Sequence, residues 1–106
     1  MKFVVLFIPN EKQIAAALPA REKIAVWRER EQEGKATEDQ VETATWRFLW
    51  AATADPRSWC DSQSIKFSFG FGDADWVFFF NFGRRIDATR FAANWSNPSA
   101  ITISKD

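Results

Sequence analysis

The chain has no histidine and no tyrosine, and only one cysteine and one methionine among its 106 residues. Without histidine the commonest general base and the commonest metal ligand are both missing, which excludes a His-based acid/base pair. The lone Cys60 cannot form an intramolecular disulfide, and no histidine stands ready to activate its thiol. Asp73, Asp75 and Asp87 are the carboxylates that invite a metal or catalytic reading, but Asp73-Ala74-Asp75 reads first as a turn. No metal and no cofactor is expected. Charge of one sign is also lacking: 14 Lys and Arg balance 14 Asp and Glu. No overall field therefore draws the chain to nucleic acid or to an anionic membrane, and Arg84-Arg85 beside aromatic residues is a weak exception for single strands. No apolar run approaches the roughly 20 residues that span a bilayer, and the start lacks the pattern of a signal peptide. With the unpaired cysteine, these absences give a cytoplasmic location as the expectation.

What the chain does have is aromatic mass, 11 Phe and 6 Trp. Rings with almost no polar handles need a large core, an apolar cavity or an apolar interface. The stretch Ile65–Phe71, a Gly72–Asp75 turn and Trp76–Phe82 read as a β-hairpin. A loop at Asp73-Ala74 would pair Phe71 with Trp76, Phe69 with Phe78, Phe67 with Phe80 and Ile65 with Phe82, all on one face. The second strand is apolar on both faces and so is expected at the centre of a sheet.

Lys2–Ile8 is a second continuous apolar run, expected as a strand buried on both faces and stopped by Pro9. Asn10 with Gln13 forms a capping box. Pro19 is expected to divide the helical pattern into one helix ending at Leu18 and another from Pro19 to Glu33, stopped by Gly34. Thr37 with Gln40 opens a strongly amphipathic helix through Val41, Ala44, Thr45, Phe48, Leu49 and Ala52, ended by Asp55-Pro56. Arg57–Ser64 reads as a polar loop, Ala88, Phe91, Ala92 and Trp95 as one face of a helix, Ser96-Asn97-Pro98 as a turn and Ala100–Ser104 as an edge strand. One domain over residues 1–106 follows, with the order β-αα-β-β-α-β. Short right-handed connections turn that order into an α+β, ferredoxin-like antiparallel sheet with helices on one face. Strands one and three are central, flanked by four and two. Apolar residues on both faces of the central strands call for a second cover, most simply another subunit, so a homodimer is expected.

Met1-Lys2-Phe3-Val4-Val5-Leu6, the helix entry Ala17-Leu18-Pro19-Ala20 and the passage through Ala25-Val26-Trp27 to Gly34 resemble muconolactone isomerase-like proteins of the dimeric α+β barrel group. Trp46-Arg47-Phe48-Leu49-Trp50 is similar to an isomerase segment as well, here placed in an additional helix. The resemblance implies ferredoxin-like sheets paired face to face around apolar pockets, and isomerase, cyclase or cofactor-independent oxygenase chemistry. It covers about a third of the chain through packing residues and carries over no catalytic motif.

Two functional readings follow. In the first, a hydrophobic small molecule sits against Phe67, Phe69, Trp76, Phe78 and Phe80 with Arg84 nearby, and Asn81 or Asn10 polarises it as the catalytic amide. In the second, a protein partner docks on Trp46, Arg47 and Trp50; the two indoles are four residues apart and form one ridge opposite the apolar stripe of their helix. The plain counterpart of the first is a packed core, and of the second a ridge covered by Ile24 and Trp27.

Overall fold

The computed structural model describes residues 2–96 and 101–104. The elements are β1 (Lys2–Phe7), α1 (Glu11–Gln32), α2 (Glu38–Ala52), α3 (Ala54–Ser62), β2 (Ser68–Phe71), β3 (Phe78–Phe82), α4 (Arg85–Trp95) and β4 (Ile101–Ser104). They fall into two compact units, Asn10–Thr53 and the remainder, Met1–Pro9 with Ala54–Asp106.

The Asn10–Thr53 unit is a helical hairpin whose ends are set by the residues that satisfy orphan backbone groups. Asn10 Oδ1 accepts from the Gln13 backbone N–H at 2.9 Å, while the Asn10 N–H donates to Gln13 Oε1 at 2.8 Å. Thr37 and Gln40 repeat that exchange at the start of α2. At the end of α1 the N–H of Gly34 donates to the Glu31 carbonyl and that of Lys35 to the Arg30 carbonyl, a Schellman closure with Gly34 left-handed at φ 74°. Pro19 does not divide the helix: α1 runs unbroken for 22 residues. Both Pro19 and Ala15, whose carbonyl loses its donor, are exposed, so water can satisfy the freed acceptor. Buried Ala17 and Ile24 hold the helix on either side of the proline. On α2 the expected stripe is buried at Ala44, Phe48, Leu49 and Ala52, and the Arg21 guanidinium of α1 lies 5.7 Å from the Phe48 ring centre.

The other unit is a four-stranded antiparallel sheet of order β2-β3-β1-β4 with α3 and α4, an α+β arrangement. β1 and β3 are the central strands, as their unbroken apolar character required. Alternation puts Val5, Phe7, Phe78, Phe80 and Phe82 on the inner face, all buried, where Phe91 of α4 meets Phe80 at 4.6 Å and Phe82 at 5.1 Å between ring centres.

The hairpin register differs from expectation by two residues. Phe71 faces Phe78 and Phe69 faces Phe80, so the loop spans Gly72–Val77 and the strands are shorter. Inside it the Gly72 N–H donates to the Val77 carbonyl at 2.7 Å, and Trp76, expected opposite Phe71, is left-handed at φ 62°. A shift of two preserves the face of every side chain, which is why the inner set is still apolar and mostly aromatic. Arg57–Ser64, expected as a loop, is mostly helix: Pro56 falls in the first turn of α3, where no backbone donor is needed, and so starts a helix instead of only ending α2. β1 is not buried on both faces, since Leu6 and the following Ile8 are 46% and 66% exposed. The turn expected beyond Ser96, and Ala100 of the last strand, lie outside the described residues.

Candidate functional site

The residues expected to line an aromatic pocket are largely the core. Phe78 and Phe80 are fully buried, and the Phe80 ring lies within 6.1 Å of Phe7, 5.7 Å of Phe67 and 5.8 Å of Phe69. Trp76 lies in the hairpin turn, left-handed and half-buried. Arg84 caps α4 without a side-chain bond and borders a shallow basin of about 340 Å³ with Ser64, Lys66, Gly83 and Asp87.

Asn81 points the other way, onto the outer face of the sheet, where its Nδ2 donates to Ser68 Oγ at 3.1 Å across the β2/β3 pair. Asn10 is spent on the cap of α1. Asn81 thus faces away from the inner aromatic set. Cys60 is buried in α3, and burial, with the Asp61 and Asp87 carboxylates adding to it, pushes its thiol up to about 12. At neutral pH it stays protonated and unreactive. The Arg57 guanidinium lies 5.5 Å from the Phe69 ring centre, its pKa lowered by burial against the opposing pull of Asp61. Among the described residues no group of three or more Cys, Asp or Glu is placed to hold a metal ion, and no helix is long and apolar enough to cross a membrane.

On the outer face of the sheet, the central strands supply Val4, Leu6 and Phe79, and the edge strands supply Ser68, Thr102 and Ser104. Phe79 stands opposite Gly70, and a Cβ at that glycine would come within 2.7 Å of the Phe79 ring. The glycine therefore gives the ring room to lie over β2. The result is an apolar centre with a polar rim.

On α2, Trp46 and Trp50 are 46% and 51% exposed. About half of each indole surface is therefore open. Compared with known proteins, the chain matches no family model, no curated protein sequence and no solved structure.

The helical unit also holds a feature that sequence pattern did not single out. A trough of about 250 Å³ runs between the helices, lined by Ala16, Pro19, Ala20, Lys23 and Trp27 of α1 and by Ala44 and Arg47 of α2. A second compartment of about 210 Å³ shares Trp27, Ala44 and Arg47 and adds Gln40 and Thr43. The available signal was the density of alanine where two helices face each other, because methyl groups leave unfilled the space a larger side chain would occupy.

Proposed function

We propose that the protein is a binding module that pairs with a second copy of itself through the outer face of its sheet. The observation that carries this reading is the exposure of Leu6 beside Val4 and Phe79, an apolar patch on the central strands rimmed by Lys2, Ser68 and Thr102, with exposed Ile8 just past the end of β1. The strand order and the antiparallel directions support a ferredoxin-like arrangement, and sheets of that kind pairing face to face would join it to the dimeric α+β barrel group that its first third resembles. Binding is favoured over turnover by what has happened to the candidate chemistry: Phe78 and Phe80 are fully buried in the core, Asn10 caps a helix and Cys60 is closed off. The Asn81 amide is the polar group best placed to act in such a seam, as an orienting donor or acceptor for an enclosed apolar molecule. Light scattering should give a dimer for the native chain and a monomer for Leu6→Lys, whose helical content is unchanged; a monomeric native chain at micromolar concentration would end this reading.

The exposed Trp46/Trp50 ridge, with Arg47 nearby on the same helix, favours a second reading in which a different protein docks on α2. Trp and Arg dominate binding hot spots because they bury large areas at low entropic cost. Trp46→Ala with Trp50→Ala should weaken such a complex by about 2 kcal/mol or more while the dimer of the native chain persists. Equal retention of the partner by both proteins would clear the ridge.

A further inference from the structure

The trough between α1 and α2 differs in chemistry from both surfaces above. Ala16, Ala20 and Ala44 line it with methyl groups, and Trp27, an aromatic surface, borders both compartments. The charged residues that line it, Lys23 and Arg47, have the same sign, and neither is engaged in an ion pair or hydrogen bond with a described residue. A third cation is close by, since the Arg30 guanidinium lies 4.9 Å from the Trp27 ring centre. Here a concave apolar floor meets only positive charge, and the missing complement is a group that is negative at one end and apolar at the other.

We propose that this trough binds a small amphipathic carboxylate. An aromatic ring or short alkyl body rests on Trp27 and the alanines, and the carboxylate is held by Arg47, whose planar fork suits two parallel bonds, and by Lys23 as a point charge. A volume of about 250 Å³ sets the size: it is below the usual range for drug-sized ligands and suits a single ring with a short acid chain. The trough belongs to the helical unit, so this inference goes beyond the proposed self-association and does not depend on it.

The test is titration of the full chain with 3-phenylpropionate and with its neutral amide, read from the indole N–H resonance that disappears in Trp27→Phe. The carboxylate should shift that resonance saturably and bind about tenfold or more tightly than the amide, as a charge-assisted bond predicts. Lys23→Gln with Arg47→Gln should bring the carboxylate down to the amide's affinity. Ala20→Leu should abolish binding of both by filling the floor, with circular dichroism unchanged. Leu6→Lys should leave the titration as it is, so that failure here is distinct from failure of the dimer. A resonance that does not respond, equal binding of acid and amide, or an unaltered affinity in the double glutamine variant would each overturn the proposal.

Discussion

At Ser64 the backbone turns left-handed, φ 56°, to close α3. The Ile65 N–H donates to the Cys60 carbonyl at 3.0 Å and the Ser64 N–H to the Asp61 carbonyl at 3.1 Å, the same Schellman pattern that Gly34 completes for α1. Glycine adopts that conformation freely and serine does not, so Ser64→Gly should stabilise the protein by about 0.5 to 1 kcal/mol in denaturant unfolding, despite the greater freedom of glycine in the unfolded chain. An unchanged or lowered midpoint would contradict the assignment. Cys60, in the same helix, gives a pH signature. Its thiol holds its proton longer folded, up to about 12, than unfolded, where thiols titrate near about 8.5. The unfolded state therefore loses its proton first as pH rises. The stabilisation is full below about pH 8.5 and is lost as pH climbs toward about 12, and Cys60→Ala should flatten that alkaline decline. At neutral pH the native thiol should react slowly with a thiol reagent and at the ordinary rate once unfolded; rapid labelling of the native protein would show the burial to be wrong.

Among the elements, α1 and α3 departed most from their sequence pattern, both at prolines. A proline removes one donor and crowds the carbonyl four residues earlier, but whether that ends a helix depends on what the rest of the helix gains by continuing. For α1, an exposed Ala15 and Pro19 flanked by buried Ala17 and Ile24 favour continuation. Pro19→Ala should restore one intrahelical bond and raise stability by about 2 kcal/mol, the helix-interior penalty of proline less the entropy it removes from the unfolded chain. A destabilised variant would mean that the ring itself packs against something essential. The caps needed no such arbitration: Asn10 with Gln13, Thr37 with Gln40, and Gly34 are local devices whose partners lie within five residues, and each works as its spacing indicated.

For the whole molecule, the outcome turns on the two faces of one sheet. The inner face is filled mainly by rings, and the outer leaves Leu6 in water beside half-buried Val4 and Phe79, with exposed Ile8 just past the strand. If a second copy covers that patch, unfolding is coupled to dissociation, and the thermal midpoint should rise with protein concentration. The Leu6→Lys variant should lose that dependence. A midpoint independent of concentration in the native chain would leave the patch without a self-partner.

Sequence alone determined the quantities that depend on near neighbours or on simple periodicity: both capping boxes, the Gly34 stop, the buried stripe of α2, the aromatic character of the inner sheet face and the central place of β1 and β3. Register, the path of the chain through Pro19 and Pro56, and the destination of Asn81 were decided by tertiary structure, because each is a competition between local cost and distant packing. The same holds for the candidate sites. Trp46 and Trp50 could be placed opposite the α2 stripe from spacing, but only the folded hairpin shows that about half of each side chain stays exposed. The trough with Lys23 and Arg47 is invisible in one dimension, since an empty volume is a property of how two helices meet and of the methyl groups they bring to the contact.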